Sequence, residues 1–317
     1  MSLPATLTQT NLPILHEAGS DASAKFIEFF TARIRNPNTR RAYLKAATRF
    51  LGWCQQMDLG LVDIESIHVA TYTEGLQQTL AKSSVKLHLS AIRHLFDWLV
   101  IGHVLNINPA TAVRGPKLST KVGKTPVVSA DQARELLESI DSEKIGDLRD
   151  KALIATLTYT AGRIGAVLSL KVKDYHPQGK TWFLNLHEKG GKFHPVPCHH
   201  KLIQYLDAYI NAAGIAGEKN APLFRTLERK KGRPLSNKAL AQAETYVMLK
   251  RRAKKAGIIV EINNHTFRAT AITTLLQNGA ELEQAQALAN HADVRTTRLY
   301  DRRNHDATQA IVEKIDI

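Results

Sequence analysis

The chain of 317 residues is 44% hydrophobic and 23% charged, ordinary globular material and long enough for two domains with cores of their own. Its 43 Lys and Arg against 29 Asp and Glu leave a formal charge of +14, which points to a polyanionic partner. No apolar run approaches the roughly 20 residues that cross a bilayer, no signal peptide opens the chain, and Cys54 and Cys198 are too few for a disulfide framework, so a membrane span and a disulfide-stapled secreted fold are not expected.

Residues 1–22 are polar and turn-rich without sustained periodicity and read as a loose lead-in. From Ser23 the pattern turns helical. AKFIEFFTARI is followed by NTRRAYLKAATRFLGWCQQM, with Asn38 placed to cap and Tyr43, Ala47, Phe50, Leu51 and Cys54 on one face. HVATYTEGLQQTLA and SSVKLHLSAIRHLFDWLVIG give two more helices, the last with Leu87, Ile92, Leu95, Phe96 and Leu99 as its apolar part. Residues 23–113 thus form a helical domain. The stretch from Arg114 to Val128, rich in Gly, Pro, Ser, Thr and Lys, is expected to be a linker. Splitting the chain after Pro116 gives 11 Lys and Arg against 8 Asp and Glu on the first side and 32 against 21 on the second, an excess of +3 and +11. The second portion is the more basic.

Ser129 and Gln132 make a capping box ahead of ARELLESI and open a second domain over 129–304. LRDKALIATLTYTAGRIGAVLSLKVKDY predicts two helices broken at Ala161 and Gly162, with Arg163 just after the break, where its side chain can turn inward. TWFLNLHEKGGKFHPVPC predicts a hairpin whose turn is Lys-Gly-Gly-Lys. His194, Cys198, His199 and His200 follow no recognised zinc-ligand spacing, so no metal site is expected. LFRTLERKKGRPLSN reads as a basic loop, and the helix after it carries Lys250, Arg251, Arg252, Lys254 and Lys255. Such a run is often a solvated face, yet beside DNA it would add counterion-release affinity.

The most informative stretch is HTFRATAITTLLQNGAELEQAQALANHADVRTTRLY. His265 and Arg268, three apart, emerge on one helical face; His291 opens another short segment, and Tyr300 follows it by nine. Arg presents a planar fork of donors to phosphate oxygens, His moves a proton near neutral pH, and a deprotonated Tyr is a nucleophile. Singly, each has an ordinary structural role: a packed tyrosine, a cap, a salt-bridged arginine. Together, HxxR and the run ending LANHADVRTTRLYDR resemble the carboxyl-terminal boxes of the tyrosine recombinase (phage integrase) family, H-x-L-R-H and L-G-H-x-x-x-x-T-x-x-Y. TAGRIGAVLSL resembles its box T-G-x-R-x-x-E-x-x-x-L, and the four-helix segment closing on INPATAV looks like its core-binding domain.

The resemblance implies a mainly helical chain with a small β-sheet: a SAM-like core-binding domain, an α+β catalytic domain, and the two closing around DNA as a clamp. Arg163 and Arg268 would neutralise the scissile phosphate, His265 and His291 would assist, Tyr300 would be the nucleophile, and Lys189 at the hairpin turn, with Lys192 as the second choice, would protonate the leaving oxygen. Core-binding contacts would come from Arg40, Arg41, Lys45, Lys82, Ser84, Lys86 and Arg93. No cofactor is implied. Double-stranded DNA with specific core sites is the expected partner, with a tetramer on two sites and a tail over 305–317 exchanged between protomers; whether a second recombinase or accessory protein takes part is left open. Localisation would be cytoplasmic, on the nucleoid through DNA. A type IB topoisomerase uses the same covalent step, and a DNA-binding protein without catalysis is the other alternative. Departures from the boxes motivate the latter: Ala161 for Gly, Ala166 for the carboxylate that helps hold the family's active site, Ala269 for His and Asn290 for Gly.

Overall fold

A proline at the first helical position and a capping asparagine before it start one of the two longest amino-terminal helices, and the cap lies two residues earlier than expected. Asn36, not Asn38, is the cap: its Oδ1 accepts from the backbone N–H of Asn38 at 3.0 Å and Thr39 at 3.1 Å, and Pro37 takes the position where a missing N–H costs nothing. The structure, a computed structural model, describes residues 12–118, 123, 125–188, 191–228, 230, 232 and 234–303. It divides into two units, Met1–Ser119 and Thr120–Ile317, so the boundary falls inside the expected linker.

The first unit consists of α1 (Pro13–Glu17), α2 (Ser20–Glu28) running into a π turn over Phe29–Arg33, α3 (Pro37–Gln56), α4 (Ser66–Thr79) and α5 (Lys82–Ile101). The lead-in expectation fails over 12–22. Leu12, Ile14, Leu15 and Ala22 are buried in the same core as Phe26, Phe30, Phe50 and Phe96, and a one-turn helix is too short to show a period in sequence. In α5 the buried positions are Val85, His88, Leu89, Ala91, Ile92, Leu95, Phe96 and Leu99, one helical face that leaves Leu87 exposed, contrary to expectation.

The second unit opens with α6 (Ala130–Glu138), whose capping box is present as predicted, since Ser129 Oγ accepts from Gln132 N–H and Gln132 Oε1 from Ser129 N–H. Then come α7 (Ile145–Tyr159), the short α8 (Ile164–Leu168), strands β1 (Tyr175–Gln178), β2 (Thr181–His187) and β3 (Phe193–Pro197), and α9 (His200–Ala213). The sheet is antiparallel in the order β1-β2-β3, with Tyr175 opposite Leu184 and His187 opposite Phe193, so the predicted hairpin is present. Residues 223–237 correct a second expectation. They are not simply a basic loop, because β4 (Arg225–Leu227) and β5 (Leu235–Ala239) pair there and Arg225 is buried. The unit ends with α10 (Gln242–Lys255), α11 (Thr266–Gln277), α12 (Leu282–Ala289) and α13 (Val294–Arg298). Lys189 and the tail over 305–317 lie outside the described residues. No described helix is long and apolar enough to cross a membrane.

Candidate active site

Two left-handed residues shape the site. Ala161 at φ +49° ends the turn between α7 and α8, and Asn290 at φ +48° closes α12; both stand where the family boxes carry glycine. The backbone around each turn aims carbonyls at arginines. Arg268, in the first turn of α11 and 3% exposed, donates through Nη1 to Ala161 O and through Nη2 to Ala289 O, the latter at 2.6 Å. Arg163 donates through Nη2 to Asn290 O at 3.4 Å and through Nη1 to Glu188 Oε2 at 2.5 Å. Arg163 therefore does turn inward, as its place after a helix break suggests, while its side chain stays 39% exposed.

A small apolar cluster of Ala161, Ile272, Leu276, Ala285 and Ala289 fastens these elements, and Tyr300 packs against it. The Tyr300 ring stacks on that of His291, with centroids 5.8 Å apart and planes 12° from parallel. Its backbone is held by Thr273 Oγ1, which donates to Tyr300 O at 3.0 Å, and by Gly123 N–H, which donates to Leu299 O at 2.7 Å. A Cβ at Gly123 would meet that same oxygen at 2.8 Å, so the close approach of the segment before α6 requires glycine.

The electrostatics follow from gathering cations where water is scarce. Burial, then the charge of Arg163, lowers Arg268 to about 10, while Tyr300 and Glu188 act in the opposite direction. His291 falls to about 4, through burial first and then Arg268 and Arg163, so its ring is neutral at physiological pH. His291 Nδ1 lies 2.9 Å from Thr297 Oγ1; with the threonine donating, Nε2 carries the proton and faces away from that bond. His265 precedes α11 with its N–H on Asn263 Oδ1 at 2.8 Å; though solvent-accessible, its ring is lowered by desolvation and by the same two arginines.

Arg163, His265, Arg268, His291 and Tyr300 are thus brought together. The structure adds Glu188, Thr297, Thr273 and His194, whose Nε2 lies 3.0 Å from Leu288 O and ties the β2–β3 hairpin to the end of α12. Lys192 is exposed beside the hairpin turn. No cluster of three or more His, Cys, Asp or Glu arranged to hold a metal ion occurs among the described residues.

The expected DNA contacts divide. Arg41, Lys45, Lys82, Lys86 and Lys250 are exposed, and Ser84 is partly so. Arg40 donates from Nε and Nη2 to Ile34 O, and Arg93 from Nε and Nη2 to Ala110 O and Val113 O, so both brace their own unit. Arg252 must be corrected. It is buried and pairs with Asp147 and Asp150, and Arg251 Nη2 reaches the same Asp150 at 3.2 Å while remaining largely exposed. Burial puts this guanidinium out of reach of a phosphate, and the two carboxylates already balance its charge.

Residues 126–307 match the phage integrase family, and residues 23–102 match the phage integrase N-terminal SAM-like domain. The tyrosine recombinase XerD of Listeria monocytogenes is 28% identical over 291 residues, 89% of this chain and 93% of that protein. The fold is similar to that of XerH recombinase bound to a palindromic difH substrate in a post-cleavage complex, with a TM-score of 0.72 at 21% identity over 98% of this chain and 88% of that one. It is also similar to that of a lambda integrase tetramer bound to a Holliday junction, with a TM-score of 0.66 at 16% identity over 97% and 84%. Neither the topoisomerase alternative nor a non-catalytic DNA binder is favoured by these likenesses. With both of its domains matched, the chain belongs to the phage integrase family and is an Xer-like tyrosine recombinase, an enzyme that breaks and rejoins DNA.

Proposed function

We propose that the chain recombines specific duplex sites through Tyr300. The hydroxyl attacks the scissile phosphorus, a P–O bond forms to the tyrosine as the bond to the 5′-oxygen breaks, and a 3′-phosphotyrosyl link and a free 5′-hydroxyl result. The 5′-hydroxyl of a partner duplex then reverses the step. The link conserves the phosphodiester, so no external energy source is needed.

One observation carries this reading: the Tyr300 ring stacks on a neutral histidine beside two arginines, one buried and held by two backbone carbonyls and the other more than a third open to solvent. Carbonyls orient a guanidinium without cancelling its charge, which stays available to the non-bridging oxygens as charge builds in the transition state. His291 would donate from Nε2 to one of them, and His265, its pKa lowered first by desolvation and then by the two arginines, would accept the phenol proton. Lys189, or failing it Lys192, would protonate the leaving oxygen.

The exposed Arg41, Lys45, Lys82, Lys86 and Lys250 would lie on phosphates and set position more than sequence preference. The XerH and lambda integrase structures hold DNA, the latter as a tetramer; in this chain a tetramer on two sites, joined through residues 305–317, is the corresponding assembly. The test is a two-site joining assay, run beside plasmid relaxation, on duplexes selected from a random-sequence pool by binding to the full chain. Joined products are expected. Relaxation without joining would make the chain a topoisomerase, and a gel shift with neither would make it a binding protein.

A further inference from the structure

Where the family carries a carboxylate three residues after the first arginine, this chain has Ala166, 6% exposed and part of the second unit's apolar core. A carboxylate is nevertheless present at Arg163, and it comes from another element. Glu188 leaves the end of β2 with its side chain 4% exposed, and its Oε2 lies 2.5 Å from Arg163 Nη1. Its backbone is pinned on both sides of the α-carbon, since Glu188 N–H donates to Lys192 O at 2.8 Å and Gly191 N–H donates to Glu188 O at 3.2 Å.

We infer that Glu188 is the positioning residue that replaces the carboxylate missing at Ala166, holding Arg163 so that its remaining donors face the scissile phosphate. The inference rests on the function proposed above and adds to it a residue that the family boxes do not supply. The geometry favours positioning over sequestration. Glu188 engages one terminal nitrogen and Asn290 O the other from the carbonyl side, while more than a third of the arginine side chain stays open. A guanidinium has five N–H donors in a fixed fork, so two anchors fix its plane and leave the rest to a ligand.

Glu188 also opposes the lowering of Arg268, so a single buried negative charge supports both cations at once. Its second oxygen, Oε1, is buried with no hydrogen-bond partner among the described residues. Burying an acceptor unpaired is costly, so a carboxylate kept there is not explained by stability alone. The residue is also the sequence neighbour of Lys189, so the hairpin that delivers the proposed acid would deliver the anchor of Arg163 as well.

The experiment measures single-turnover cleavage of a nicked duplex built from a pool-selected site, using the full chain, Glu188→Gln, Arg163→Ala and the double variant, with DNA affinity and thermal unfolding measured for each. Gln keeps the shape and an acceptor oxygen while removing the charge. Glu188→Gln is expected to cleave about 10- to 100-fold more slowly with DNA affinity within about 2-fold, the loss of a charge-assisted hydrogen bond at a reacting centre. In the Arg163→Ala background the same change should cost nothing further, because Glu188 acts through Arg163. Three results would overturn the inference: an unchanged rate, a faster rate, which would mean that Glu188 competes with phosphate, or an equal further loss without Arg163, which would mean a purely structural role. No adduct from the unaltered chain would instead remove the proposed function itself, and the inference with it. Should Glu188→Gln unfold, Ala166→Glu in that background gives the second measurement: restored cleavage supports the exchange of positions, and a refolded but inactive protein contradicts it.

Discussion

The second unit contains two sets of arginines that differ in what holds them. Arg149, Arg225 and Arg252 are paired to carboxylates: Arg149 to Asp150 at 2.6 Å, Arg225 to Glu218 at 2.6 Å, and Arg252 to Asp150 at 2.6 Å with Asp147 beside it. Arg268 is held by two backbone carbonyls, and Arg163 by one carbonyl and one carboxylate. Burial works against the charge of Arg252, yet its hydrogen bonds to Asp147 and Asp150 outweigh that and its pKa is raised; Arg268, without such a partner, is lowered to about 10. The first set is neutralised and rigid, as a core requires. In the second, Arg268 keeps its charge without a carboxylate partner at a cost in desolvation and Arg163 keeps much of its side chain open beside a single carboxylate, an arrangement that a fold sustains where an anion is to be received.

Substitution should separate the two sets. The largest effect is expected on cleavage. Arg268→Ala or Arg163→Ala should slow single-turnover cleavage by about 10²- to 10³-fold, the scale of losing one donor to a developing oxyanion; Arg268→Ala strands no carboxylate, whereas Arg163→Ala leaves Glu188 buried without its ion-pair partner and should also lower the unfolding free energy. Unchanged cleavage by either variant would return that arginine to the structural set. Arg252→Ala should do the opposite. Removing Arg252 takes the ion-pair partner from Asp147 and leaves Asp150 with Arg149 and Arg251, and is expected to cost up to about 3–5 kcal/mol in unfolding free energy, with the salt dependence of DNA affinity unaltered, because Arg252 is not on the exposed basic face. A shallower salt slope for Arg252→Ala would show that it reaches phosphate after all.

A smaller effect is expected at Ala161, which carries the carbonyl that receives Arg268 and pays for it with a left-handed backbone. Glycine removes the Cβ strain of about 1–2 kcal/mol but loses entropy and an apolar contact, so Ala161→Gly should stabilise by under about 1 kcal/mol. Cleavage should stay within about 2-fold. A loss of stability would mean that the packing of the Ala161 methyl in its small cluster outweighs the strain.

What was legible in the sequence follows the same division. His265 stands at the N-cap of the helix that carries Arg268, and His291 and Tyr300 lie in one short segment, so their spacing carries the geometry directly. The helix break at Ala161 also marked Arg163. Glu188 was not legible, because its partner is 25 residues away and reaches it only once β2 is set against the turn after α7; the sole available signal was an acidic residue beside the turn lysine. Arg252 was misread for a related reason. In KRRAKK every position looks wet, and only Asp147 and Asp150, more than 100 residues earlier, show that the helical phase turns this one inward. The one-turn helix at Pro13–Glu17 and the β4–β5 pair were hidden by their brevity, since neither is long enough to establish a period.

The central claim is that Arg163 and Arg268 serve Tyr300. Its most direct test is Tyr300→Phe on a nicked duplex that traps the covalent intermediate. Phe keeps the ring that stacks on His291 and packs against the Ala161 cluster while deleting the nucleophile. DNA affinity within about 2-fold of the unaltered chain and complete loss of the protein–DNA adduct are predicted; an adduct formed at the normal level by Tyr300→Phe would contradict the account.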